Sequence, residues 1–177
     1  KTIKKIIMTG SCWEYSENNT ICHEDSTKLS RENFSMSKIK IYKFLKRQCD
    51  ENNVKFIWFR IFYMYGPHQK NQSLIPTILN DLSNNRKPSI LNPNKKNDFI
   101  YVGDVCNAII KSIHNQKVFG IYNLGYGKTF TVLSVYKLIL KYFNLDKSNK
   151  YKIRIQKKSN KRYILSDIKK IYRDLGW

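Results

Sequence analysis

Acidic residues are scarce in this chain: 13 Asp and Glu stand against 33 Lys and Arg, which gives a formal charge of +20 at pH 7. Such an excess is compatible with nucleic-acid binding through phosphate neutralisation. However, the basic residues are dispersed from Lys1 to Lys170, and many aromatics occupy strand-like apolar runs such as 56–62, where they cannot stack on bases. We therefore keep nucleic-acid binding as a minor alternative and interpret the charge as a positive field that favours anionic ligands.

Paired cysteines and long apolar runs are also missing. The four cysteines, Cys12, Cys22, Cys49 and Cys106, lack the paired spacing of a metal site, so we expect reduced thiols of a cytoplasmic protein. No apolar run is long enough to cross a bilayer, and residues 1–10 are too few and too charged for a secretory signal. With 177 residues, of which 41% are hydrophobic, the chain should fold around a real core without membrane contact.

A glycine-rich phosphate-binding turn is absent as well. Residues 4–10 are a candidate for the opening strand of a dinucleotide-binding fold, because they form an apolar run that ends in Gly10. That fold needs further glycines where the backbone meets phosphate and where helix meets strand. Trp13 and Ser16 hold those positions, and no helical pattern follows. We therefore interpret the segment as a buried strand that delivers Ser11 to the carboxyl edge of a sheet, where ligands bind.

Strand patterns alternate with helical ones along the chain, which is typical of an α/β layer. The predicted strands are 3–9, 54–61, 88–91, 98–101, 120–124 and 151–155. The predicted helices are 31–51, 72–84, 103–115, 130–144 and 167–174. No repeat or low-complexity linker divides the chain.

One predicted helix carries a pattern with chemical meaning. Phe34 and Lys38 are four residues apart at its start, so they lie one turn apart on one face. The segment Phe-Ser-Met-Ser-Lys resembles the Tyr-x-x-x-Lys active-site helix of extended short-chain dehydrogenases/reductases, the NAD-dependent epimerase/dehydratase family. Ser11 falls at the catalytic serine of that family's Ser-Ser-x-x-x-Tyr-Gly stretch, with Tyr15 at its tyrosine. The resemblance places Phe34 at the catalytic tyrosine, although a phenylalanine cannot exchange a proton.

Two central segments resemble the same family. Residues 60–67 resemble its Arg-x-x-Asn-x-Tyr-Gly-Pro strand and loop, with Tyr63 in place of the asparagine that meets substrate in relatives. Residues 97–105 resemble its Arg-Asp-Phe-Ile-Tyr-Val-Asp-Asp-Val signature, with Asn97 in place of the leading arginine. That arginine is often a ligand of the substrate diphosphate, so one anion contact differs here.

The end of the chain resembles the family too. Residues 122–128 resemble its Tyr-Asn-x-Gly-x-Gly-Lys turn, and residues 167–177 its Asp-x-x-Lys-x-x-x-x-Leu-Gly-Trp helix. Arg162 stands where an arginine often binds the diphosphate, and its planar fork suits phosphate oxygens. The alternative is a solvated arginine in a basic tail.

The resemblance implies an α/β fold: a partial Rossmann-like, doubly wound parallel sheet with a smaller mixed α/β substrate-binding lobe. Residues 1–66 would be the C-terminal part of the dinucleotide-binding domain. Residues 67–177 would be mainly the substrate lobe, with the strand near 98–124 and its helix partly returning to the sheet domain. The implied cofactor is NAD or NADP, and the implied cofactor contacts are Lys38, Ile61 and Phe62. The implied partner is a nucleoside-diphosphate sugar, and its implied contacts are Ser11, Tyr63, Asn97 and Arg162.

The implied chemistry is hydride transfer at C4 of the sugar. Ser11 would hydrogen-bond the reacting oxygen, and Lys38 would hold the nicotinamide ribose and lower the pKa of a neighbouring tyrosine. A 4-epimerase or 4-ketoreductase is favoured over a dehydratase, because Cys12 and Trp13 stand where dehydratases carry an Asp-Glu pair. Phe34 leaves open a family member that binds a ligand or a partner without catalysis. The resemblance also implies a possible homodimer through the helix that bears Lys38.

Overall fold

Strands and helices alternate along the chain in the computed structural model, which describes residues 3–15, 20–26, 32–153 and 163–177. The strands are β1 (Lys5–Ser11), β2 (Ile21–Cys22), β3 (Lys55–Ile61), β4 (Tyr63–Tyr65), β5 (Lys96–Asn97), β6 (Phe99–Tyr101), β7 (Gly120–Leu124), β8 (Phe130–Thr131) and β9 (Tyr163–Ser166). The helices are α1 (Asn33–Glu51), α2 (Leu74–Ser83), α3 (Val102–His114), α4 (Val132–Tyr142) and α5 (Lys169–Leu175), and short 3-10 turns span Cys12–Glu14 and Asn149–Tyr151.

A parallel sheet with the order β1-β3-β7 forms the centre of the fold. Its middle strand is apolar over successive residues because helices cover both faces. Phe56 and Trp58 pack with Tyr42 of α1 on one face. On the other face, Ile57 and Phe59 belong to a core that α3 and α5 complete with Val105, Ala108 and Ile171. The central sheet is therefore packed between helices on both faces.

Two smaller sheets and a second core lie beyond the central sheet. β4 pairs with β6 in parallel, and β2, β9, β5 and β8 form a mixed sheet in that order. The second core joins α2, through Ile78 and Leu82, to α4, through Tyr136 and Leu140. These elements surround the segments that follow the ends of β1, β3 and β7.

The predicted α/β fold with a parallel sheet is confirmed, but two predicted strands are wrong or incomplete. Residues 88–91 form no strand: Pro88 and Pro93 lack the backbone N–H that a strand ladder needs. Of the strand predicted at 151–155, Tyr151 closes a 3-10 turn, residues 152 and 153 are not extended into a sheet, and 154–155 lie outside the described residues. The strand that joins the mixed sheet is instead β9, whose Ile164 pairs with Asn97.

The described residues contain no helix with the length and apolar character needed to cross a membrane. All four cysteines lie within the described ranges, and none is in a disulfide. His, Cys, Asp and Glu side chains in those ranges do not gather into a metal-binding group.

Candidate active site

The three central strands end in one row. In the parallel register Ser11 pairs with Ile61, and Ile61 pairs with Leu124. Because the strands run in the same direction, this row is the carboxyl edge, where open α/β sheets bind ligands. The register therefore places two predicted site residues, Ser11 and Ile61, side by side.

Ser11 ends β1 and caps the 3-10 turn that follows. Its Oγ accepts a hydrogen bond from the Trp13 N–H at 3.2 Å, and its own N–H donates to Glu14 Oε1 at 2.8 Å. This capping box fixes the turn, because the Ser11 and Glu14 side chains both accept hydrogen bonds from backbone N–H groups at its start. The Ser11 side chain is half-buried, and a hydroxyl group can both accept and donate hydrogen bonds.

Helix α1 brings Lys38 to the same strand. Lys38 Nζ donates to the Thr9 carbonyl of β1 at 2.9 Å and lies 6.0 Å from the centroid of the Phe34 ring. The two side chains thus share one helical face, as their spacing predicts. Lys38 is half-buried, whereas the Phe34 ring is 59% exposed. The Phe34 side chain is a hydrocarbon, so position 34 has no exchangeable proton. The charged group on this helix face is the Lys38 ammonium.

A buried ion pair lies directly behind the Ser11 turn. Arg60 Nε donates to Glu14 Oε2 at 2.9 Å, and both side chains are almost fully buried. The Trp58 indole N–H donates to both carboxylate oxygens of Glu14, at 3.1 Å each. A side chain at Gly10 would overlap Glu14 and Trp58, so the glycine makes room for the carboxylate. Together these contacts tie the turn to β3.

The buried carboxylate also argues against a phosphate loop after β1. The strand leads into a three-residue 3-10 turn, with no α-helix directly after it, and the negative charge of Glu14 sits beneath that turn. A pyrophosphate needs free N–H groups and a positive field at this place. The structure thus agrees with the interpretation that residues 4–10 do not lead into a phosphate-binding turn.

Two hydroxyl- or thiol-bearing neighbours of Ser11 are unsuited to replace the missing tyrosine. Burial raises the pKa of the Cys12 thiol, which keeps it protonated and weakly reactive. Burial likewise raises the pKa of Tyr15, although Arg60, whose guanidinium lies 4.6 Å from the ring centroid, opposes the shift. The Tyr15 hydroxyl donates to Asn123 Oδ1 at 2.6 Å. Both groups are therefore structural parts of the wall behind the site.

The other predicted site residues are spread over neighbouring elements. Tyr63 is half-buried on β4, and its ring lies 6.2 Å from that of Trp13. Phe62 is buried in a core with Cys12, and its N–H donates to the Leu124 carbonyl at 2.8 Å. Any contact of Phe62 with a cofactor would therefore come from its main chain.

The two remaining predicted substrate contacts are Asn97 and Arg162. Asn97 lies on β5 and is only 5% exposed, and its Oδ1 has no hydrogen-bond partner among the described residues. Arg162 lies outside the described residues. Its predicted contact with a diphosphate therefore stays a prediction.

A second buried carboxylate, Asp98, organises the turn after β7. Its side chain accepts from the N–H groups of Tyr126 and Gly127 at 2.7 and 3.2 Å, and from the Ser166 N–H at 3.0 Å and Oγ at 2.5 Å. Burial raises the pKa of Asp98 more than these hydrogen bonds lower it. The roles of Asp98, Glu14 and Arg60 were not predicted from the sequence. A charged residue inside an apolar run, such as Arg60 in β3, was the available signal.

Comparison with known proteins identifies the family of this arrangement. Residues 1–125 match the model of the NAD dependent epimerase/dehydratase family. The dTDP-4-dehydro-6-deoxyglucose reductase of Escherichia coli is 29% identical over 167 residues, which cover 92% of this chain and 52% of that protein. This chain therefore spans about half the length of the curated relative that it matches.

Solved structures of related enzymes share the fold. UDP-N-acetylglucosamine 4-epimerase from Methanobrevibacter ruminantium M1, in complex with UDP-N-acetylmuramic acid, superimposes with a TM-score of 0.86 at 24% identity and covers 99% of this chain and 57% of its own. UDP-glucuronic acid 4-epimerase from Bacillus cereus, in complex with UDP-glucuronic acid and NAD, gives 0.85 at 17% identity, over 100% of this chain and 57% of its own. At these identities the likeness establishes the fold.

Proposed function

Because the chain belongs to the NAD dependent epimerase/dehydratase family, we propose that it forms part of a nucleoside-diphosphate-sugar 4-epimerase or 4-ketoreductase. The observation that carries this proposal is the hydrogen bond from Lys38 Nζ to the Thr9 carbonyl. This bond fixes Lys38 of α1 against Thr9, which lies two residues before Ser11 at the carboxyl edge of a parallel sheet. A cation and a hydroxyl donor at this edge are two of the protein groups that assist hydride transfer at a sugar carbon; the third, a general acid/base, is missing at position 34.

The described residues fit one end of NAD or NADP. Lys38 spends one ammonium hydrogen on Thr9 and keeps two, which suit the hydroxyls of the nicotinamide ribose. Ile61, at the end of β3, borders the same edge. When bound, the cofactor would accept a hydride from the sugar carbon and return it in an epimerase, or donate one in a ketoreductase. The remaining protein groups then position the sugar: Ser11 donates its hydroxyl hydrogen to the reacting oxygen, and Lys38 places a positive charge beside it.

Phe34 supports a second candidate, a family member that binds a sugar nucleotide or a protein partner without catalysis. Losing a positioned general acid/base costs about 10²- to 10⁴-fold in rate. Neither Tyr15 nor Cys12 replaces it, because burial raises the pKa of both groups. We therefore propose that the intact protein binds sugar nucleotides, and that its turnover is low.

Restoring the hydroxyl tests this proposal. Phe34→Tyr in the full-length protein should raise turnover of UDP-glucose or dTDP-4-dehydro-6-deoxyglucose by about 10²-fold or more, because it supplies the missing proton carrier. Phe44→Tyr is the matched control: Phe44 lies on the same helix, is similarly exposed at 57%, and lies more than two turns away. Equal activity of the two variants would refute the assignment of position 34. Failure of the parent protein to bind any nucleotide sugar would refute the function itself.

Three broader proposals follow from the family. We propose that residues 1–66 belong to the dinucleotide-binding domain and residues 67–177 mainly to the substrate lobe. The exposed apolar side chains Ile41 and Phe44 of α1 support dimerisation through this helix. We also propose a cytoplasmic location, since all four cysteines lack disulfides. Light scattering of the purified protein tests the dimer: a monomer at micromolar concentration would contradict it.

A further inference from the structure

An aromatic pair and an ammonium group lie together just beyond the strand ends. The rings of Trp13, after β1, and Tyr63, on β4, have centroids 6.2 Å apart and are tilted by 58°. Lys95 Nζ lies 5.9 Å from the Trp13 centroid and 5.8 Å from the Tyr63 centroid. One cation thus lies near two rings, one in the 3-10 turn after β1 and the other on β4.

No described acidic residue neutralises the charge of Lys95. Among the described residues no carboxylate lies within ion-pair distance of its ammonium group. Contacts with two ring faces orient the ammonium but contribute only weakly at a partly exposed site. Its N–H donors therefore remain available to an acceptor from outside.

A second group without a partner lies on the same side of β5. Lys95 directly precedes this strand and Asn97 is in it, so their side chains point the same way, whereas Lys96 between them reaches the Tyr163 ring on the opposite side. Asn97 is 95% buried, yet within the described part of the chain its Oδ1 accepts no hydrogen bond. Burying such an acceptor is costly unless a ligand supplies a donor.

We propose that Trp13, Tyr63, Lys95 and Asn97 form a subsite that reads an anionic oxygen group next to the sugar ring of a bound nucleotide sugar. This inference rests on the proposed function and names residues that decide specificity within it. The Trp13 indole is 39% exposed and offers an apolar face to the C–H face of a pyranose. Lys95 donates to the anionic oxygen, and Asn97 Oδ1 accepts from a sugar hydroxyl. The anionic oxygen belongs either to a carboxylate on the sugar or to the diphosphate.

Lys95 also supplies a positive charge close to position 97, where the family signature has an arginine and this chain has Asn97. Asn97 carries no charge, but Lys95, two residues earlier on the same side, returns one positive charge to this surface. An ammonium group is a compact point charge and binds one oxygen where an arginine fork binds two. The subsite should therefore contribute affinity through charge, with a marked dependence on salt concentration.

Calorimetric titration of the full-length protein tests the subsite, with UDP, UDP-glucose, dTDP-glucose and UDP-glucuronic acid as ligands. Lys95→Met keeps the length of the side chain and removes its charge, and we expect it to weaken binding about tenfold, since a charged hydrogen bond is lost. Trp13→Leu should weaken binding of the sugar-bearing ligands about threefold and leave UDP unchanged. Lys96→Met is the matched control, because it removes an equal charge from the opposite side of β5, and it should change affinity less than twofold.

The ligand series identifies the source of the anionic oxygen. A loss confined to UDP-glucuronic acid assigns Lys95 to the sugar carboxylate, and an equal loss for all four ligands assigns it to the diphosphate; both support the subsite. If the parent protein binds these ligands and Lys95→Met behaves like Lys96→Met, the subsite is refuted while the proposed function stands. If the parent protein binds none of them, both fall. Thermal unfolding of each variant verifies that these surface substitutions leave the fold intact.

Discussion

Glu14 and Asp98 are two buried carboxylates that the fold satisfies in different ways. Both are fully buried, and each lies against a glycine whose missing side chain makes room for it: Gly10 for Glu14 and Gly125 for Asp98. Glu14 faces a cation, Arg60, at 2.9 Å. The four donors that reach Asp98 from described residues, two of them on Ser166, are all neutral. The same chemical group is thus held once by charge and once by hydrogen bonds alone.

The two carboxylates stabilise different parts of the carboxyl edge of the central sheet. The Glu14 pair joins the turn after β1 to β3, so it fixes Ser11 with respect to the strand beside it. Asp98 joins the turn after β7 to the end of β9, and so connects the central sheet to the mixed sheet. An ion pair in the interior is not stabilising by itself, because desolvation offsets the attraction, but breaking one is costly. Neutral donors avoid that risk but leave the carboxylate harder to ionise.

The largest effect should come from removing the cation of the first site. Arg60→Met leaves the Glu14 charge buried without a counter-charge, and we expect the free energy of unfolding to fall by about 3–5 kcal/mol in urea titration. Arg47→Met is the control, since the Arg47–Glu51 pair is exposed with a separation of 3.8 Å and should cost less than about 1 kcal/mol. Glu14→Gln combined with Arg60→Met removes both charges but keeps an acceptor oxygen for the Trp58 and Ser11 donors, so it should recover most of the loss. A double variant as unstable as the single one would show that packing, not charge, is what Arg60 supplies.

A smaller loss is expected at the second site. Asp98→Asn keeps the shape but turns an amide N–H₂ toward backbone donors, so at least one donor loses its acceptor, at about 2–3 kcal/mol. Asp50→Asn, on the exposed surface of α1 and paired with Lys46, should change stability by less than about 0.5 kcal/mol. Chemical denaturation of both variants makes the comparison. If Asp98→Asn were as stable as the parent, the four hydrogen bonds would not be what holds this turn.

The two carboxylate sites also show which features of the fold could be predicted from the sequence. The helix predicted at 31–51 and the strand predicted at 54–61 are found as α1 (Asn33–Glu51) and β3 (Lys55–Ile61), because local spacing determines which faces are buried. The Arg60 partner could not be derived this way, since Glu14 is 46 residues distant and lies in a 3-10 turn, where the alternation of a strand no longer applies. Strand alternation would place the Glu14 side chain on the face opposite to that of Trp13, but the strand ends at Ser11.

The small sheets beyond the central sheet were harder to predict for a related reason. Short strands such as β5 and β9 have only two and four residues, so they carry too few positions to show an alternating pattern. Their pairing depends on contacts between distant segments, and Asp98 makes several of them. The motif resemblance located Asn97, but only the fold reveals that its Oδ1 is buried without a partner among the described residues.

Removing one donor from Asp98 should have a more modest effect. Ser166→Ala deletes the hydroxyl that donates to Asp98 Oδ2 and should cost about 1–2 kcal/mol, because hydrogen bonds to an ionised acceptor are stronger than neutral ones. Ser112→Ala is a matched control: Ser112 is equally buried, but its hydroxyl donates to the neutral carbonyl of Ile109. We expect the control to cost about half as much in thermal or urea unfolding. Equal losses would indicate that the Asp98 acceptor carries no charge at the pH of the measurement.

The smallest expected effect is a pH dependence that only the second site should show. Burial raises the pKa of Asp98 in the folded state, so its contribution to stability is complete below the unfolded pKa of about 3.9 and is lost as the pH rises through the folded value. The stability of the parent protein minus that of Asp98→Asn should therefore decrease from pH 4 toward neutrality, since all other titrating groups cancel. Ser166→Ala removes a hydrogen bond that lowers this pKa, so the decrease should move to higher pH in that background. A difference that instead grows with pH would mean that the neutral donors stabilise the ionised carboxylate more than burial destabilises it.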